Sequence, residues 1–187
     1  MAKGDLITFQ DDDDGSCRNR IEFQYEMMKK YGVAHVNLSW QRYKDEYNCK
    51  RLDFEPTEKD ILTTDQILKL ADKTKPRIFK HPFARIGSRR PVQRFFRDLI
   101  CKHLIDWTPY PGAANSPLVD KKVFERCSWR RLYERTRPSI KGRGCDRDFN
   151  FSVAKTFKSS IIVMAPLYLW RTKWENCDFR DEKYRPK

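Results

Sequence analysis

From Ser159 to Trp170 the chain reads SSIIVMAPLYLW, its longest uncharged apolar run, fenced by Lys155 and Lys158 before it and by Arg171 and Lys173 after it. Such a run must be buried, in a bilayer or at the centre of a fold. As a helix its twelve residues rise only about 18 Å against a hydrocarbon core of about 30 Å, so the run alone does not span. Extended from Phe151 to Trp174 it reaches about 36 Å, provided Lys155, Lys158 and Arg171 snorkel their charges to the interfaces. Phe149, Phe151 and Phe157 on one side and Tyr168, Trp170 and Trp174 on the other would form the interfacial belts. The membrane-facing residues of this span would be Ile161, Ile162, Val163, Met164, Pro166, Leu167, Leu169 and Trp170, with Pro166 removing a backbone donor and kinking the helix. The competing reading is a buried strand or core helix, which the length rule favours for short apolar runs.

Charge constrains the remainder. The chain carries 39 Lys and Arg against 26 Asp and Glu, a net +13. The stretch from Lys75 to Arg147, with 19 basic and 6 acidic residues, carries a net +13 by itself. A block so localised calls for a polyanionic partner: RNA, anionic lipid such as cardiolipin, or the acidic surface of a larger assembly. The candidate contacts are Arg89, Arg90, Arg94, Phe95, Phe96, Arg97, Arg130, Arg131, Tyr133, Arg135, Lys141 and Arg143, where basic and aromatic residues interleave as phosphate neutralisation and stacking require.

An apolar fraction of 39% against 35% charged residues is thin material for a private core, yet five Trp, eight Tyr and twelve Phe are too many rings for a disordered chain. Burial against partners reconciles the two. The six cysteines at 17, 49, 101, 127, 145 and 177 show no zinc-like spacing; a Cys127–Cys145 disulfide is permitted, and plain small hydrophobes are the simpler reading. The acidic start, MAKGDLITFQDDDDG, has neither a secretory core nor an arginine-rich presequence, which leaves import without a cleaved leader as the mitochondrial route.

Along the chain, residues 1–18 read as an acidic tail with a turn at Asp11 to Asp14, and 19–74 as a helical region. Within it a helix is predicted over Asn19 to Tyr31 with Gly32 as its stop, a second short one over Leu38 to Tyr47, and a third over Asp65 to Asp72, capped by Thr64 and burying Ile67, Leu68 and Ala71. In the basic region 75–147 a helix starts at Pro91, a proline-rich strap covers 107–117, a helix capped by Ser116 and Pro117 runs to Arg135, and a basic loop covers 136–147. Then come the span region, 148–175, and a charged tail, 176–187. The predicted fold class is mainly α: an extended multi-helix chain with little private core and one marginal C-terminal transmembrane helix.

Catalytic motifs are lacking. His35, His81 and His103 stand in no HExxH and beside no GxSxG, no glycine-rich phosphate loop occurs, and the acidic pairs Asp45-Glu46 and Asp181-Glu182 lie in lysine-rich surroundings. The expectation is a protein that is not an enzyme, with no metal, cofactor or small-molecule substrate.

Arg131-Leu132-Tyr133-Glu134-Arg135-Thr136, a polar linker, a short hydrophobic segment containing Pro166-Leu167, and the aromatic and charged tail from Tyr168 to Lys187 together resemble the small single-pass accessory subunits in the membrane arm of mitochondrial respiratory complex I, of the beta-subcomplex subunit 4 type. The resemblance covers the last third of the chain; Lys155 and Lys158 depart from it, and the first hundred residues have no counterpart. It implies a non-catalytic accessory subunit of NADH:ubiquinone oxidoreductase in the mitochondrial inner membrane, strapping neighbouring subunits together. The alternative expectation is a ribosomal protein, mitochondrial or other, that binds RNA through 75–147.

Overall fold

A computed structural model describes residues 3–12, 14–43, 50–73, 112–130 and 145–171. Strands β1 (Leu6–Thr8) and β2 (Gly15–Ser16) lead to helix α1 (Arg20–Tyr31) and strand β3 (His35–Tyr43). A 3₁₀ turn at Glu58–Asp60, strand β4 (Ile61–Leu62) and helix α2 (Thr64–Lys73) follow, then strand β5 (Leu118–Asp120) with a second 3₁₀ turn, Lys121–Glu125. Helix α3 (Cys145–Phe157) and strand β6 (Ser160–Arg171) complete the described elements. The six strands form one curled, mixed sheet in the order β1-β5-β3-β6-β2, with β4 also paired to β6.

This arrangement overturns the mainly α prediction and its membrane helix. Ser160 to Arg171 is the longest strand of the sheet, and among the described residues no helix is long and apolar enough to cross a membrane. The physical reason is visible in the run itself. Ile161, Ile162 and Val163 are β-branched and pack well on a pleated surface, and Pro166 would remove a helical hydrogen bond and clash with the preceding turn. β6 lies in the sheet interior, with β3 parallel to it on one edge and β4 then β2 antiparallel on the other. A strand covered on both faces reads as a continuous apolar run, which sequence alone does not separate from a short buried helix. Ile161, Ile162, Val163, Leu167 and Leu169 are buried in protein, whereas Met164 and Trp170 are partly exposed.

The core is private and lies on both faces of the sheet. Ile161, Val163, Ala165, Leu167 and Leu169 point with Val36 and Leu38 toward Phe23, Met27 and Met28 of α1. Ile162 points the other way, onto Ile67 and Ala71 of α2 and Phe151 and Ala154 of α3. A third cluster joins Val119 of β5 to Val123, Cys127, Phe149 and Val153, with Phe9, Phe124 and Trp129 packed around it. Aromatics expected to be buried against partners are here buried against one another.

Two predicted helices form: α1 stops at Gly32 in the left-handed region (φ 59°), and α2 buries Ile67 and Ala71 as its spacing requires. Others are corrected. The described part of Leu38 to Tyr47 belongs to β3, because Val36 and Leu38 alternate into the core and the strand has partners on both edges. In place of a helix beginning at Ser116, Leu118–Asp120 joins β1 and β3 as a strand, and the cap falls at Asp120, whose side chain accepts the Lys122 N–H at 2.9 Å. The end of the predicted loop 136–147 is the first turn of α3, where Asp146 and Asp148 suit the positive helix terminus. Cys127 and Cys145 are not joined by a disulfide. The helix at Pro91, the first part of the strap, residues 131–144 and the tail 176–187 lie outside the described residues.

Lys158, which ends α3, holds φ 52° in the left-handed region that disfavours any side chain with a Cβ. Exposed there, it is a site where Lys158→Gly is expected to raise stability by about 0.5–1 kcal/mol, the relief of strain outweighing glycine's extra freedom in the unfolded chain. The thermal midpoint measures it, and a lower midpoint would contradict the strain.

Candidate functional site

The sheet contains one irregularity that builds a site. β3 and β6 run in register from His35↔Ser160 to Leu38↔Val163, then resume at Trp40↔Tyr168, so that Ser39 faces the four residues Met164 to Leu167. Pro166 sits inside this bulge, where a residue without an N–H costs the ladder nothing. Gln41 donates through Nε2 to the Pro166 carbonyl at 2.8 Å. Three extra residues on one strand are an odd number, so the inward and outward faces exchange across the bulge. Val163, Ala165, Leu167 and Leu169 keep facing α1, whereas Trp40, two residues beyond the core residue Leu38, swings to the side of Tyr168 and Trp170.

A loop seals the bulge. The Ala113 N–H donates to the Leu38 carbonyl at 2.7 Å, the Ser116 N–H and hydroxyl both donate to the Ala113 carbonyl at 3.1 Å, and Asn150 donates to the Ala114 carbonyl at 2.6 Å. From α1, Gln24 Nε2 reaches the Ser116 carbonyl at 3.0 Å and the Val36 carbonyl at 3.1 Å. These bonds hold the described end of the predicted strap, Gly112 to Ser116, against the sheet without regular structure.

Between loop and sheet lies an open cleft of about 320 Å³ lined by Asp11, Asp14, Trp40, Ala113, Asn115, Tyr168 and Trp170. Trp40 and Trp170 are 40% and 43% exposed, and their rings meet edge to face at 5.0 Å and 87°. Large exposed indoles beside a cavity are unlike the buried rings of the core and mark a contact surface.

The acidic wall is ordered by hydrogen bonds. Tyr168 donates its hydroxyl to Asp14 Oδ2 at 2.5 Å, and Asn115 Nδ2 lies against both the Tyr168 oxygen, at 2.7 Å, and Asp11 Oδ2. Tyr168 and Asn115 donate as neutral groups, and these bonds fix the orientation of the two carboxylates. Burial, and then the bond to Asp14 and the charges of Asp14 and Asp11, push the Tyr168 hydroxyl above its ordinary pKa, so it remains a protonated donor. Behind the ring, Arg20 stands 5.9 Å from the Tyr168 centroid and donates to the Phe9 carbonyl at 3.2 Å. Burial lowers its pKa, and the cation remains charged because arginine starts so high.

A second polar cluster is sealed inside the fold. Asn150 donates to the Ala114 and Asp146 carbonyls, so its Oδ1 must be the atom facing His35 Nε2 at 2.7 Å. Nε2 therefore carries the hydrogen, and the bare Nδ1 is buried without a hydrogen-bond partner. Desolvation lowers the His35 pKa to about 4, only partly opposed by the Asn150 bond. His35 is fully buried and does not line the cleft, so this cluster is structural.

The residues expected from the sequence are not brought together here. Arg130 holds buried Asp148 with two bonds of 2.9 Å, from Nε and Nη2, and also donates to Ser152 at 2.7 Å, so it serves the interior of the fold. Arg89, Arg90, Arg94, Phe95, Phe96, Arg97, Arg131, Tyr133, Arg135, Lys141 and Arg143 lie outside the described residues. Of the segment read as a span, Tyr168 and Trp170 line the cleft. Sequence reasoning missed Asp11, Asp14, Trp40, Asn115 and Tyr168. The acidic run was visible as an anomaly in a basic chain, but nothing local tied it to tryptophans far along the sequence. Compared with known protein families and with curated proteins, the sequence matches none, so the functional argument rests on the site itself.

Proposed function

We propose that the protein is a non-catalytic binding subunit that seats a cationic group of its partner in the acidic and aromatic cleft. The observation that carries this reading is the convergence of two carboxylates and two exposed tryptophans on one cavity of a chain whose net charge is +13. Carboxylates attract a cation by charge, and indole faces attract it by their quadrupoles. Its volume lies at the lower end of ligand sites, suited to one side chain or small head group. A role in holding partners together agrees with the accessory-subunit expectation. Of the two settings suggested by the sequence, the respiratory one loses its anchoring helix, and the ribosomal one depends on a region of which only 112–130 and 145–147 are described.

Trp40 and Trp170 provide the readout. Titration with a lysine- and arginine-containing peptide is expected to change tryptophan emission saturably, an acidic peptide of equal length to leave it unchanged, and Trp170→Ala or Asp11→Asn to weaken binding about tenfold. An equal response to both peptides, or none to the basic one, would refute the reading.

A further inference from the structure

Independently of the cleft, we infer that the protein binds the backbone of a single-stranded nucleic acid at the end of the sheet where β3 and β6 begin. Backbone pairing assembles this surface. The Ala34 N–H donates to the Ser159 carbonyl at 3.2 Å and to its Oγ at 2.9 Å, and the Asp120 N–H donates to the Ala34 carbonyl at 2.9 Å. Lys158 and Lys121, next in chain to those two partners, therefore stand on either side of Val33, about 10 Å apart by the spacing of strands. Arg126 lies over the Phe157 ring, 5.5 Å from its centroid. Lys30 lies 5.6 Å from the centroid of Tyr31, which is 38% exposed at the end of α1 and three residues before Ala34. With Lys122 and Lys155, three segments distant in sequence bring six exposed cations to one edge. The carboxylates of this end are Asp5, Glu26, Asp120 and Glu125, and among the described residues none of the six cations forms an ion pair.

Helix dipoles account for part of this charge only. Lys30 and Lys155 lie in last helical turns, where a cation is favoured, but Lys121 and Lys122 open the second 3₁₀ turn, at the end that favours an anion. Lys158 is held at φ 52°, where a glycine would be relaxed. The kind of cation selects the partner. Five of the six are lysines, which meet phosphates as point charges, whereas protein interfaces are poor in lysine and favour the arginine fork for carboxylates. A bilayer surface would call for apolar side chains to insert, and among the described residues the large apolar side chain exposed at this end is Tyr31, a ring on which a base stacks. A row of cations across neighbouring strands, with one exposed ring beside it, fits a linear polyanion that carries bases.

Fluorescence anisotropy of the full chain with short labelled oligouridylate and oligothymidylate, over a range of salt concentrations, tests the inference. At least one of the two is expected to bind, and a preference between them identifies the sugar. The double variant Lys121→Glu, Lys158→Glu is expected to lose about tenfold or more in affinity and to flatten the salt dependence by a slope of about 1–1.5. Tyr31→Ala is expected to lose about tenfold with the salt slope unchanged, because stacking releases no counterions. Lys158→Gly, expected above to raise the thermal midpoint, should weaken binding severalfold, so that loss of folding cannot account for the effect. Lys50→Glu and Lys59→Glu make the same charge change beyond this end, Lys50 bonded through its carbonyl to Arg18 and Lys59 just before β4, and should leave affinity within about twofold. An equal loss in these controls, or undiminished binding in the double variant, would overturn the site. Polyglutamate of matching charge binding as tightly would overturn the nucleic acid in favour of an acidic protein, and tighter binding to phosphatidylserine vesicles would overturn it in favour of a membrane. Binding of neither oligonucleotide would overturn the inference and leave the cleft reading, which tryptophan emission reports with a basic peptide, untouched.

Discussion

Replacing Phe149 with alanine is expected to lower stability by about 3–5 kcal/mol, a large part of what a domain of this size has. Phe149 is fully buried on α3 and stacks on Trp129 at 4.0 Å with the planes 6° apart. Phe124 stacks on both rings, at 5.6 Å from Phe149 and 5.8 Å from Trp129, and Phe9 meets Trp129 edge-on at 4.5 Å. Three segments of the chain, around Phe9, Phe124 to Trp129 and Phe149, are therefore held by one set of rings. Removing the central one forfeits its burial, leaves a cavity that rigid neighbours cannot fill, and loses the ring pairs, each worth about 0.5–1.5 kcal/mol beyond area. Denaturant midpoints followed by circular dichroism measure the loss. Trp170→Ala, at the exposed rim, is the comparison and is expected to cost about 1 kcal/mol or less. A similarly small cost at Phe149 would show that the aromatic cluster is not part of the core.

The second large effect concerns acid. In the folded protein His35 titrates at about 4, against about 6.5 in an unfolded chain. As pH falls, the unfolded chain takes up its proton first, so protonation favours unfolding. Stability from this residue is complete above about pH 6.5, declines between 6.5 and 4, and levels off below, a loss of about 3 kcal/mol. The cause lies in the tautomer: Asn150 occupies Nε2, and a second proton would go to Nδ1, buried and without a hydrogen-bond partner. His35→Gln keeps a donor toward Asn150 and cannot become a cation. Stability measured from pH 8 to pH 4 is expected to converge between variant and parent on the acid side, while at pH 8 the parent is the more stable. Parallel curves across that window would contradict the assignment.

How much of this was legible beforehand differs from element to element. Residues 20–31 and 64–73 announce themselves because their apolar positions recur on one face and because Gly32 is a local stop signal; Thr64, expected as the cap of the second helix, is instead its first residue, and its hydroxyl pairs with the Ser160 backbone. Ser160 to Arg171 did not, because a strand buried on both faces leaves no alternation to detect. The basic and aromatic interleaving around Trp129 and Arg130 looked like a nucleic-acid surface. In the fold, Trp129 stacks in the core and Arg130 neutralises Asp148, a carboxylate whose proximity no local spacing reveals. The acidic turn at Asp11 was visible as a turn and not as the wall of a cleft, since its partner Asn115 stands 104 residues away.

What the sequence by itself determined was local: two helices with their ends, the turn before β2, the irregular course of 112–117, and an apolar run that had to be buried somewhere. Whether that run met lipid or protein, and as helix or strand, was decided by long-range pairing, because β3, β4 and β2 supply hydrogen-bond partners that a lone strand lacks. Tertiary structure alone also decided the site. The odd offset between β3 and β6 turns Trp40 out of the core and beside Trp170, and that offset exists only once two segments about 125 residues apart have been brought into register.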